Sequence, residues 1–244
     1  MIIAIDIGNT TIKIAVMDHK NIYKVIRSNV KEFTTDLSNL LDNFKDIHET
    51  AICNVGIFPK ELLQYLKLKF ETVFEVNNTI KLPFNNLYQS LTLGNDRIAL
   101  VAGALSLSKK NKPILVIDTG TCVTYDFIDE DRNYYGGAIS PGLRLRYESL
   151  HNFTANLPLL HPEYTEELVG NTTKTSIHSG VMNGLALEVK AAIKQYTKSN
   201  KDLEVFITGG DSELLIKQLK NRFFATPFLM LHGIYYLFLF NKNL

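Results

Sequence analysis

Ile2-Ile3-Ala4-Ile5-Asp6-Ile7-Gly8-Asn9-Thr10-Thr11-Ile12 and Ile114-Leu115-Val116-Ile117-Asp118-Thr119-Gly120-Thr121-Cys122-Val123 are two copies of one pattern. In each, a four-residue apolar run leads into Asp, Gly and Thr, and a second apolar run follows. The pattern predicts a strand, a tight turn and a returning strand. A third strand fits Ile22–Ile26 in the first copy and Tyr134–Ile139 in the second. Repetition at this scale predicts two related α/β halves. Strands cluster at the start of each half, so the sheets are expected to be mixed rather than doubly wound and parallel.

Helical spacing covers the rest of each half. In the first it runs over 31–44, Pro59–Phe70 and Asp96–Leu107, with Ala51–Val55 as a short buried strand and Asn77–Gln89 as a polar loop. In the second it covers Arg144–Leu150, Ser176–Tyr196, Ser212–Lys220 and Phe228–Phe240, with Leu203–Thr208 as a strand ending at Gly209-Gly210. The polar breaker Lys109–Pro113 sets the expected boundary, giving domains 1–111 and 112–244. A chain of 244 residues comfortably builds two small cores.

Composition narrows the function. There are 26 Lys plus Arg against 25 Asp plus Glu, for a net charge of +1, and no basic stripe. Nucleic acid and anionic membrane are not expected partners. The one cluster, Lys109, Lys110 and Lys112, reads as a solvated loop. Cys53 and Cys122 have apolar neighbours and read as two small buried hydrophobes in a reducing compartment. The N-terminus lacks a basic n-region and carries Asp6 within its apolar run, against a signal peptide. The apolar stretch Pro227–Phe240 is too short to span a bilayer and reads as a buried terminal helix. A cytoplasmic location follows.

Either turn alone is compatible with a hairpin, since Asp and Asn favour turns and Gly supplies positive φ. Two such turns, each heading a half, suit a nucleoside triphosphate. Gly8 and Gly120 let the backbone approach phosphate. Successive N–H groups, with the side chains of Asn9, Thr10, Thr11 and Thr121, donate to phosphate oxygens. Asp6 offers a hard oxygen for Mg²⁺. Lys13 either adds charge or is an exposed strand residue. No Walker A sequence is present, and no G-x-G-x-x-G follows a strand.

The paired loops resemble the phosphate loops of the superfamily that joins sugar kinases, actin and the heat-shock ATPases. That resemblance implies two ribonuclease-H-like (actin-like ATPase) domains, each a mixed sheet flanked by helices, with ATP in a cleft between them. Further motifs resemble the type III pantothenate kinases, in that family's order. Gly94-Asn95-Asp96-Arg97 is similar to its G-x-D-R motif, and Asp118-Thr119-Gly120-Thr121 to its D-x-G-T loop. Gly136-Gly137-Ala138-Ile139-Ser140-Pro141-Gly142 is similar to G-G-x-I-x-P-G, and Thr154-Ala155-Asn156-Leu157-Pro158 to T-A-x-L-P. Gly170-Asn171-Thr172-Thr173 and Gly209-Gly210 complete the set. Two departures stand out: Tyr88-Gln89-Ser90-Leu91 lacks the Pro that commonly precedes G-x-D-R, and Cys122 stands where a small residue is usual.

The resemblance implies an ATP-dependent kinase phosphorylating the 4'-hydroxyl of pantothenate, the first step of coenzyme A biosynthesis. It implies ATP on Asp6, Ile7, Gly8, Asn9, Thr10, Thr11, Ile12, Lys13 and Thr121, with Mg²⁺ at Asp6 through the phosphates. Asp96 is expected as the base. Tyr88, Gly94, Asn95, Asp96, Arg97 and Thr173 are expected around the substrate, with Arg97 offering a planar fork to its carboxylate. Asp118 is expected on a monovalent cation, K⁺ or NH₄⁺, and the protein is expected to be a homodimer. Two rivals are a kinase for another small alcohol or sugar, and a non-catalytic, actin-like nucleotide-binding regulator. The first would need room for a sugar site, and the second would need no base.

Overall fold

The computed structural model describes residues 1–19, 21–90, 92–108, 111–220 and 223–242. The chain divides into two compact units. One is Met1–Lys109 together with Phe228–Leu244, and the other is Lys110–Pro227.

The first unit contains β1 (Ile2–Ile7), β2 (Ile12–Met17), β3 (Ile22–Ser28), α1 (Phe33–Asn43), β4 (Glu49–Asn54), α2 (Lys60–Lys69), β5 (Thr72–Glu75), β6 (Asn85–Asn86) and α3 (Asn95–Leu107). The last helix of the chain, α8 (Leu229–Lys242), belongs to it as well. Its sheet runs β3-β2-β1-β4-β5, with β1 antiparallel to β2 and parallel to β4. All six residues of β1 are buried because both faces of this central strand are covered. Ile3, Ile5 and Ile7 join Phe33, Leu37 and Leu40 of α1 and Leu66 of α2 in one core. Each such isoleucine contributes about 1.5–3 kcal/mol by burial. The alternate face carries a row of small residues, Ala4 beside Ala15 and Ala51 in direct register. This flat floor takes α8, which packs on β1 and β4 and against α3.

The second unit contains β7 (Ile114–Thr119), β8 (Cys122–Ile128), β9 (Asn133–Pro141), α4 (Leu143–Asn152), α5 (Thr173–His178), a π-helical turn (Ser179–Asn183), α6 (Gly184–Ser199), β10 (Glu204–Thr208) and α7 (Ser212–Gln218). β7, β8 and β9 form an antiparallel meander, and β10 pairs parallel with β7 on its other side. The same relation joins β1, β2, β3 and β4. The repeat read from the sequence is thus a repeat of topology, and both units have the expected ribonuclease-H-like arrangement of a mixed sheet flanked by helices. Leu115, Ile117, Val123 and Tyr125 form the second core with Leu143 and Tyr147 of α4, Leu185 and Val189 of α6, and Leu215 of α7.

Three expectations change. Residues 228–244 group with the first unit, whereas the sequence reading kept them in a domain 112–244. Chain order does not reveal which sheet a terminal helix will cover; the alanine row on β1, β2 and β4 decides it. The helix expected over Ser176–Tyr196 is interrupted at Ser179–Asn183 by a π-turn. There Ser179 Oγ donates to Leu168 O at 2.6 Å and Asn183 Nδ2 to Glu167 O at 3.0 Å, pinning the preceding loop. Cys122 is half-buried rather than buried, because it opens β8 directly after the turn; Cys53 is buried, and both thiols are free. Lys109, Lys110 and Leu91, which the sequence reading used, lie outside the described residues. Among the described residues no helix is long and apolar enough to cross a membrane.

Candidate functional site

In the first unit the site grows from the end of β1. Asp6 is the last even-numbered residue of the strand, so it shares the face of Ala4. It is buried, and its register partners are Lys13 on β2 and Cys53 on β4. Lys13 Nζ lies 3.0 Å from Asp6 Oδ2. Lys13 thus pairs with the carboxylate at the head of the turn while its side chain stays partly exposed. The turn itself is closed by Gly8 N–H donating to Thr11 O at 3.1 Å, which leaves Asn9 and Thr10 exposed at its tip. Ile7 and Ile12 are 1% and 3% exposed, so their side chains belong to the core and only their backbone faces the turn.

The start of α3 comes to the same place. Gly94 precedes the helix with extended backbone, and Asp96 falls in its first turn, where negative charge is favoured. Asp96 Oδ1 accepts from Arg97 N–H at 2.8 Å. Asn95 Nδ2 donates to Asn54 O, 3.3 Å away at the end of β4. Cys53 reports on the neighbourhood: its thiol is pushed well up by burial and then by the charges of Asp6 and Asp96. Asp6 is the register partner of Cys53, and the start of α3 is tied to the next residue along, Asn54. Arg97 is buried, and its guanidinium lies 5.3 Å over the ring of Tyr88. The structure thus brings Tyr88 to Arg97 although the loop lacks the family's Pro.

In the second unit, Asp118 and Thr121 occupy the matching turn. Asp118, next to last in β7, lies beside Thr208 of β10, and Thr119 Oγ1 donates to Thr208 O at 2.8 Å. Gly209 has φ +102°, and a Cβ there would come within 2.5 Å of Asp118 Oδ1. A side chain at 209 is excluded on both counts. Gly142 makes a second close approach: its N–H donates to Thr121 O at 3.1 Å, and a Cβ on it would meet Gly120 O at 2.4 Å. The G-G-x-I-x-P-G and G-G motifs therefore both press on the Asp118–Thr121 turn.

Thr173 lies apart from that turn, on a pocket of about 650 Å³ lined by Leu150, Leu157, Gly170, Thr172, Thr173 and Gly180. The helix cap of α5 is Thr172, which accepts from Thr175 N–H at 3.1 Å in a reciprocal capping box with Thr175. Capping therefore falls to Thr172, and Thr173 lines the pocket as the first residue of α5.

Among the described residues no three His, Cys, Asp or Glu side chains gather to hold a metal unaided. A divalent ion at Asp6 fits as a group sharing one carboxylate with phosphate oxygens and water, the usual habit of Mg²⁺. Asp118 similarly offers a single hard oxygen beside a glycine turn.

Sequence reading missed the end of β4. Val55 and Gly56 N–H both donate to Ile7 O, at 3.0 and 3.2 Å, locking that strand end beneath the first turn. The signal was Asn54-x-Gly56 directly after a buried run. It also missed Arg146 and Glu188, which join α4 to α6.

Comparison with known proteins supplies an independent reading. The family model described as type III pantothenate kinase matches residues 2–195. A type III pantothenate kinase of Christiangramia forsetii is 42% identical over 244 residues, covering all of both chains. A solved chain from Campylobacter jejuni, assigned to the Baf family of transcriptional activators, superposes with TM-score 0.65 at 23% identity, covering 99% of this chain and 100% of that one. A ROK family glucokinase from Streptomyces griseus, in complex with glucose and AMPPNP, superposes with TM-score 0.51 at 12% identity, covering 96% and 97%. The two solved structures are likenesses of fold.

Proposed function

The chain belongs to the type III pantothenate kinase family, and we propose that it transfers the γ-phosphoryl of ATP to the 4'-hydroxyl of pantothenate. The observation that carries the site assignment is geometric: Asp6 faces Cys53 across β1 and β4, and Asn95, the neighbour of Asp96 at the start of α3, donates to Asn54 O at 3.3 Å at the end of the same strand. A phosphate-loop carboxylate and a candidate base share one neighbourhood in the first unit.

Phosphoryl transfer needs mainly positioning and charge stabilisation. The turn Gly8–Thr11 offers backbone N–H groups and hydroxyls to phosphate oxygens, and Lys13 adds a cation. Thr121 is assigned to the nucleotide as well. Asp6 would hold Mg²⁺, which when bound would supply neutralisation of developing charge. Asp96 accepts the proton of the attacking hydroxyl. A carboxylate is a weak base, but it suffices when a loose transition state releases the proton late. Arg97, kept planar against Tyr88, receives the substrate carboxylate. Gly94 and Asn95 shape the approach, and Thr173 contacts pantothenate from its pocket.

Asp118 would hold the monovalent cation, K⁺ or NH₄⁺. A homodimer would offer cover to Phe153, Leu168 and Val169, exposed residues that flank in sequence the Leu150, Leu157 and Gly170 lining of the Thr173 pocket. Two free thiols and an ATP substrate fit a cytoplasmic setting.

The test is ADP release coupled to ATP, Mg²⁺, K⁺ and pantothenate, run beside a panel of sugars and small alcohols. Turnover with pantothenate alone supports the reading. Preference for a sugar, or nucleotide binding with no turnover of any alcohol, overturns it.

A further inference from the structure

We infer that Arg146 is a positioning residue for the nucleotide, acting through the Pro141–Gly142 turn on the backbone of Gly120–Thr121. The inference rests on the reading above that Thr121 serves ATP.

Arg146 sits in α4, and its side chain is only 21% exposed. Its guanidinium reaches three acceptors on two elements. Nε donates to Pro141 O at 2.7 Å, and Nη2 donates to Ser140 Oγ at 2.9 Å and to Glu188 Oε2 on α6. Glu188 is in turn held by Tyr125 on β8, whose hydroxyl donates to Oε1 at 2.9 Å. The end of β9 is thus fixed to β8 and α6 through one planar group. The backbone N–H of Arg146 also donates to Gly142 O at 3.1 Å, so both ends of the residue grip the same turn.

That turn lies directly on the candidate phosphate loop. Gly142 N–H donates to Thr121 O at 3.1 Å, and a Cβ at 142 would lie 2.5 Å from the same oxygen. Cys122 and Pro141 are register partners at the mouth of the β8–β9 pair. Thr121 therefore stands where Pro141 and Gly142 allow it to stand. An arginine in an exposed first turn ordinarily keeps its rotamer freedom in water; here that freedom is given up to hold a carbonyl whose neighbour supports Thr121. Lysine cannot replace the fork, because one ammonium cannot serve these divergent acceptors in a fixed plane. Displacing a positioning group by about 1 Å can cost on the order of a hundredfold in rate.

The experiment compares wild type, Arg146→Lys, Arg146→Met and the milder Glu188→Gln. Steady-state kinetics give separate KM values for ATP and pantothenate, calorimetry gives ATP affinity, and circular dichroism gives the thermal midpoint. The expected result is an ATP KM and dissociation constant raised about tenfold in both Arg146 variants, with pantothenate KM within about twofold of wild type. Glu188→Gln should shift ATP in the same direction by less. Unchanged ATP affinity in folded Arg146→Lys overturns the inference. So does a parallel loss for both substrates that tracks the thermal midpoint, which marks a merely structural role. If either Arg146 variant fails to fold, Glu188→Gln decides by the same criteria. Wild type that binds ATP without pantothenate-dependent turnover defeats the functional reading alone, and the calorimetric comparison still judges Arg146. Wild type that binds no ATP overturns both.

Discussion

Lys13 Nζ lies 3.0 Å from Asp6 Oδ2, and the two residues face each other directly across β1 and β2. Antiparallel register makes the pairing obligatory: with Ile7 opposite Ile12, the next pair inward is Asp6 with Lys13. The lysine holds one carboxylate oxygen while its own side chain stays 35% exposed, within reach of an arriving anion.

Lys13→Gln should therefore weaken ATP more than pantothenate. Removing a charged hydrogen-bond donor costs about 1.5–3 kcal/mol, or roughly 10–100-fold. The ATP KM from coupled ADP release is the measurement. An unchanged value would leave Lys13 as a strand partner only.

Asp96→Asn should retain ATP binding and lose turnover. Loss of a general base typically costs about 10²–10⁴ in kcat. The amide still accepts from Arg97 N–H, so α3 should begin at the same residue. Calorimetric ATP binding with single-turnover kinetics separates the two effects, and full turnover in this variant would remove Asp96 from the mechanism.

Gly233→Ala should destabilise the first unit. A Cβ at 233 would lie 1.7 Å from Ala99 O, where α8 crosses α3, and one at Gly103 would lie 2.3 Å from Leu229 O from the other helix. Overpacking of this kind costs about 1–3 kcal/mol or more. The check is a thermal midpoint lowered by about 2–4 °C per kcal/mol for a chain of this size. Wild-type stability would mean that the two helices separate easily.

Glu188 gives a pH prediction. Burial alone would raise its carboxyl, but hydrogen bonds from Arg146, Tyr125 and Ser140 outweigh it and hold the group below its ordinary value. The folded state then binds fewer protons than the unfolded state. Its contribution is fully present above the ordinary glutamate value and is lost as pH falls through the lowered one. Urea midpoints between about pH 3 and 6 should fall less steeply in Glu188→Gln than in wild type; equal slopes would show that the carboxylate is not coupled to folding.

The sequence by itself determined the repeated strand–turn–strand heads, the mixed character of each sheet and most helices. Those features depend on local periodicity and turn chemistry, which neighbouring residues carry. It also determined the family, because ordered motifs survive as linear strings. Tertiary structure alone decided that Leu229–Lys242 covers the alanine row of the first sheet, that Asp6 and the start of α3 both meet the end of β4, and that Arg146 holds the turn beneath Thr121. Each of these joins residues tens of positions apart through register or packing. Such contacts are set by which surfaces remain to be buried once the local elements exist, a property no short window of sequence contains.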